Sequence, residues 1–132
     1  MLLLDGGKVA GKSFKVDLPN YGVCDEKRVF AAGPAPQPLT LRGVKLGVPI
    51  CEDIWTHPMI STRRLYHGLD PVAQPARPTC DLVVNLSDRP WHHGKRRVRE
   101  KLANDSHRLR GSPLLTANAV GVRGLARAAR AH

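Results

Sequence analysis

The chain has 132 residues, of which 42% are apolar and 5% aromatic, enough for one modest domain with an aliphatic core and too apolar for a disordered segment. Three widely spaced cysteines (Cys24, Cys51 and Cys80) exclude a disulfide framework and a Cys-x-x-Cys zinc site and suit a reducing, cytoplasmic compartment. The net charge of +10 is uneven: residues 1–60 carry 7 Lys/Arg against 6 Asp/Glu, and residues 61–132 carry 14 against 5.

Residues 1–4 read as a strand, 5–12 as a Gly-rich turn and 13–18 as a second strand, with Asp5-Gly6-Gly7 supplying the positive-φ positions of a hairpin. A strand at the first residue suggests a sheet entered part-way, with earlier structure in relatives. Residues 19–38 form a Pro/Gly-punctuated loop. Two apolar runs flank Arg42-Gly43 as a further hairpin, and the second, residues 44–50, reads as a strand buried on both faces that delivers Cys51 at its end. Four prolines between 56 and 79 predict an irregular loop. Residues 81–87 read as a strong strand. A helix follows at 94–111, with Val98, Leu102 and Leu109 on one face and Gly111 as its stop. Residues 112–121 read as a last strand, and the Arg/Ala-rich end, 122–132, as a short helix or no fixed structure. Strands with an interposed helix predict an α/β layered fold.

Cys51 is followed at once by Glu52 and Asp53. A thiolate nucleophile needs a cationic or basic neighbour, and Lys15, at the end of the second predicted strand, is a candidate. The plainer reading is a small buried apolar residue, the commonest role of a free cysteine. The adjacent His92 and His93 do not make a metal site, because their side chains diverge and no third ligand stands at a usual spacing. The basic second half invites nucleic-acid binding, but no aromatic-interleaved platform accompanies it, and a solvated basic surface is the simpler reading.

The segments KVDLPNYGVCDEKRVFAAG, GVKLGVPICEDIW and DLVVNLS followed by PWHHGKR together resemble the glutaminase domain of glutamine-dependent NAD synthetases, within the nitrilase or carbon-nitrogen hydrolase superfamily. The resemblance spans about residues 3–55 and 81–121; each piece is weak alone and the combination is specific. It implies a partial nitrilase-type α-β-β-α sandwich over residues 1–121, followed by a divergent basic tail at 122–132. It implies Cys51 as nucleophile and Lys15 as the lysine of a Glu-Lys-Cys triad, with Glu26 supporting the lysine and Glu52 a further carboxylate beside the cysteine. Tyr21 would line the glutamine site, Lys95 would hold the substrate α-carboxylate, and Asp53 and Trp55 would be structural. No cofactor or metal is expected in this domain; ATP and Mg belong to the synthetase domain of relatives, which are expected to be homo-oligomers.

The sequence also departs from the family. No Glu precedes Lys15, so the triad base is missing and the chain reads as a truncated piece with impaired turnover. Residues 56–79 look longer than the family's helix there, and Arg89 stands where relatives carry a small or hydroxyl residue. The expected activity is glutamine amide hydrolysis through a Cys51 thioester, with the ammonia passed on to amidate deamido-NAD. A free-standing amidase or carbamoylase, and a non-catalytic remnant or basic nucleic-acid-binding protein, remain as alternatives.

Overall fold

The computed structural model describes residues 1–21, 24–54, 80–88, 95–123 and 126–128. The first hairpin pairs β1 (Leu2–Asp5) with β2 (Lys8–Lys12) antiparallel, from Leu2↔Lys12 to Asp5↔Lys8. Its turn places Gly6 and Gly7 at φ 55° and 75°, a pair of left-handed positions that matches the right-handed twist of the strands. The second strand therefore lies earlier than expected. Ser13 still exchanges backbone hydrogen bonds with Met1 at 3.0 and 2.7 Å; residues 14–18 then leave the pairing, and the backbone N–H groups of Val16 and Asp17 bond instead to the carboxylate of Asp53. Within the 19–38 loop a single helical turn, α1 (Glu26–Val29), begins behind Asp25.

The central sheet has the order β3-β4-β5-β6. β3 (Leu39–Leu41) and β4 (Val44–Gly47) form the expected hairpin over Arg42 and Gly43, both at positive φ. β5 (Leu82–Ser87) lies parallel to β4, and β6 (Leu114–Asn118) parallel to β5. Parallel neighbours need a crossover. Between β5 and β6 it is α2 (Lys95–Arg110), which ends where the Gly111 N–H bonds to the His107 carbonyl with Gly111 at φ 69°, a left-handed C-cap. On its exposed face, Arg96–Glu100 and Lys101–Asp105 pair at i,i+4.

The core gathers Leu18, Leu46, Val48, Ile54 and Val83 under the sheet and the turn that follows β4. β4 is buried only toward its end: Val44 and Lys45 are exposed and Leu46 is buried, a correction to the fully buried strand expected there, since β3 and the hairpin turn leave its start at the rim. A Cβ on Gly47 would stand 3.1 Å from the Cys80 sulfur, so glycine lets the chain entering β5 pack close to β4. The arrangement is mixed α/β, as expected. The basic end, read as helix or unstructured, instead pairs β7 (Gly121–Arg123) with β8 (Ala126–Ala128) antiparallel. The 56–79 loop lies outside the described residues. Among the described residues no helix is long and apolar enough to cross a membrane.

Candidate functional site

The site forms where β4 runs out. Ile50 still pairs in parallel with Leu86 of β5, and the next four residues, Cys51–Ile54, coil into a buried 3-10 turn. Cys51 opens that turn at φ 55°, in the left-handed region that costs a non-glycine residue on the order of 1 kcal/mol and persists only where the surroundings enforce it. Side chains of Ser13, Asn85 and the turn's own Asp53 hold the steps into the turn. Ser13 Oγ donates to the Val48 carbonyl at 2.7 Å. Asn85, 1% exposed in the middle of β5, donates its amide to the carbonyls of Pro49 and Cys51 at 3.2 and 3.1 Å. The Ile50 N–H donates to Asp53 Oδ2 at 2.9 Å.

Asp53 also brings in the lysine. Its Oδ1 accepts the N–H groups of Val16 (3.1 Å) and Asp17 (2.8 Å), so the turn that begins at Cys51 grips the segment immediately after Lys15. On the other side, the Gly33 N–H bonds to the Lys15 carbonyl at 2.8 Å. A Cβ on Gly33 would fall 2.3 Å from Phe14 Cβ and 3.1 Å from the Lys15 carbonyl oxygen, so only glycine fits against this stretch. Lys15 is not at a strand end, as expected from the sequence, but in the irregular segment beyond β2, positioned by these two clamps.

Lys15 Nζ lies 2.6 Å from both carboxylate oxygens of Glu26 at the start of α1, and both side chains are mostly shielded from water. Tyr21 turns its hydroxyl onto Glu52, which is buried next to Cys51. Burial of the hydroxyl raises the Tyr21 pKa, and the Glu52 carboxylate adds to the shift. Burial likewise raises the Cys24 thiol, with Glu52, Glu26 and Cys51 adding and Lys15 opposing. Cys24 therefore lies within electrostatic reach of all four. Burial pushes the Asp53 carboxyl up as well, against the pull of its three N–H donors.

The structure thus pairs Lys15 with Glu26 and Tyr21 with Glu52, and sets Cys24 within electrostatic reach of Lys15, Glu26, Glu52 and Cys51. Lys95 opens α2, but its side chain lies outside the described residues, as do Trp55, Arg89, His92 and His93. Among the described residues no group of three or more His, Cys, Asp and Glu is placed to hold a metal ion. Asn85, Ser13 and Cys24 had no role in the sequence reading. Asn85 had a usable signal: a polar residue with four hydrogen-bonding positions at the centre of an apolar strand must find buried partners.

Fold and site together define an α/β protein with a buried cysteine on a left-handed turn at a strand end and a lysine–glutamate pair clamped to the same turn. No family model matches the chain. Its relatives are nevertheless consistent. The glutamine-dependent NAD(+) synthetase of a Synechocystis species is 34% identical over 91% of this chain and 21% of its own length. The Rhodobacter capsulatus enzyme of the same name is 35% identical over 90% of this chain and 19% of its own. The solved glutamine-dependent NAD+ synthetase of Acinetobacter baumannii, in complex with ADP, superposes with a TM-score of 0.74 at 32% identity, over 96% of this chain and 22% of that one. The chain is a homologue of one segment of the glutamine-dependent NAD(+) synthetases, spanning about a fifth of their length.

Proposed function

We propose that residues 1–121 are part of a glutamine amide hydrolase unit of the nitrilase type, with residues 122–132 outside it. Cys51 attacks the side-chain amide carbon of glutamine, and Lys15 stabilises the oxyanion of the tetrahedral intermediate. Ammonia leaves, a thioester remains, and water releases glutamate. In intact relatives the ammonia would serve an ATP- and Mg-dependent amidation of deamido-NAD in a separate synthetase segment. Glu26 holds the lysine, Glu52 is a second supporting carboxylate beside Cys51, Tyr21 lines the glutamine site, and Lys95 receives the substrate α-carboxylate.

The observation that carries this reading is the double role of Asp53, whose carboxylate ties the backbone beside Lys15 to the turn that begins at Cys51. A solvated lysine and a core cysteine would need no such link. The carboxylates at the site are engaged with Lys15 and Tyr21, so turnover is expected to be slow. The test is glutamine hydrolysis by the protein with and without Cys51→Ala, read as glutamate release. Loss of the activity in the variant supports the assignment. Equal, significant turnover in both removes Cys51 from the chemistry. A screen in which another amide is cleaved faster than glutamine would replace the substrate while keeping the nucleophile.

A further inference from the structure

We infer that Asn85, braced by Ser87, is a positioning residue that holds the Cys51 turn in its left-handed conformation; the inference rests on Cys51 being the nucleophile. The geometry is specific. Two carbonyl oxygens, of Pro49 and Cys51, stand 3.2 and 3.1 Å from Asn85 Nδ2. Carbonyls only accept, so the amide nitrogen must face them. With the orientation set by the carbonyls, the remaining amide atom, Oδ1, accepts the Ser87 hydroxyl at 2.8 Å, which braces the amide from its other side. Asn85 and Ser87 sit two apart on β5 and so share one face of the strand. β5 is itself held in parallel register between β4 and β6.

The contact to Cys51 bears directly on its backbone. A carbonyl fixed on the C-terminal side of a residue restricts how the peptide plane beyond it can turn, and that plane carries the Glu52 N–H. With Ile50 held by Asp53 and the Cys51 carbonyl held by Asn85, relaxation of φ at Cys51 out of the left-handed region would break buried hydrogen bonds on both sides. Without the amide, Cys51 can return to an ordinary conformation, which swings its sulfur and the neighbouring N–H away from a bound carbonyl group. Asn85 touches the nucleophile's backbone and acts through it.

The experiment follows alkylation of Cys51 in the full-length protein by a diazoketone analogue of glutamine, with iodoacetamide as the small, undirected electrophile. Modified peptides are mapped by mass spectrometry and rates are normalised to folded protein from urea unfolding. Wild type should label at Cys51 with the glutamine analogue in preference to Cys24 and Cys80. Asn85→Ala should lower that rate about 100-fold, the scale expected when a reacting group is misplaced by about an ångström, while iodoacetamide labelling of Cys51 changes far less. Ser87→Ala leaves the amide in place but unbraced, and its expected loss is about five-fold, the equivalent of one ordinary hydrogen bond. If Asn85→Ala does not fold, Ser87→Ala decides. A purely structural role would lower the urea midpoint and leave the normalised analogue rate unchanged, and that result overturns the inference. Failure of wild type to label at Cys51 is a different outcome: it removes the nucleophile itself.

Discussion

Replacing Asp53 by Asn tests whether the turn and the lysine segment are joined as described. The side chain is fully buried and accepts three backbone N–H groups: Val16 and Asp17 on Oδ1, Ile50 on Oδ2. Asparagine keeps one acceptor oxygen. With that oxygen toward Val16 and Asp17, its NH2 faces the Ile50 N–H, one bond is lost and two donors oppose each other in a buried place. A stranded buried donor costs about 1–3 kcal/mol, so Asp53→Asn should destabilise by about 2–3 kcal/mol. Asp53→Ala strands all three donors and should cost several kcal/mol, much of the roughly 5–15 kcal/mol that holds a small domain. With a urea m-value of about 1–2 kcal/mol/M, the Asn variant should unfold about 1–3 M earlier, read by far-UV circular dichroism. The pH dependence adds a second check. Burial raises the folded-state pKa of Asp53 above the unfolded value of about 3.9, so its contribution is greatest below that value and declines as pH rises through the raised one. The cost of Asp53→Asn should therefore be larger at acid pH than at neutral pH. A variant within about 0.5 kcal/mol of wild type, the usual scatter of inconsequential surface changes, would refute the reasoning.

Three further outcomes are expected. Gly33→Ala forces a methyl group to 2.3 Å from Phe14 Cβ and must displace the Lys15 segment, costing about 1–3 kcal/mol as an overpacked contact and slowing analogue labelling of Cys51; unchanged stability and rate would show that the loop yields freely. Lys15→Met should reduce glutamine hydrolysis about 100- to 1,000-fold with little change in KM, the pattern of a lost oxyanion donor, measured by steady-state glutamate release. Tyr21→Phe removes the hydroxyl that Glu52 accepts and should cost about 1 kcal/mol, at the low end for a bond to a charged group because Tyr21 is 42% exposed. The Tyr21 pKa is raised in the fold, so the wild-type advantage should be complete below pH about 10 and fall as pH rises above it, which urea midpoints at neutral and alkaline pH will report.

Much of the architecture was legible because backbone chemistry fixes it locally. Asp5-Gly6-Gly7 and Arg42-Gly43 announced two hairpins, Gly111 the end of α2, and the apolar run at 82–87 a central strand. Residues 13–18 were misread because Phe14, Val16 and Leu18 alternate like a strand. The apolar spacing is there but the shared face is not, with Phe14 exposed, Val16 half-buried and Leu18 buried. The backbone donors nevertheless go to a carboxylate 36 and 37 residues away, and no local pattern reveals that. The basic end misled in the opposite sense: Ala and Arg favour helix, yet Val122↔Arg127 pairing wins. At the site, Lys15, Cys51 and the carboxylates stand in motifs that single them out, whereas Cys24 and Ser13 carry no such signal, and the carbonyls that Asn85 holds lie 34 and 36 residues away in sequence.

The hydrogen bonds around the turn join residues 34 to 37 positions apart, so no short stretch of the chain contains the reactive arrangement in miniature. Loops of that size must close before any of these contacts is rewarded. Refolding from urea should then restore helical signal from α2 before thiol selectivity at Cys51, and peptides cut from either half should carry the same residues with none of their joint chemistry.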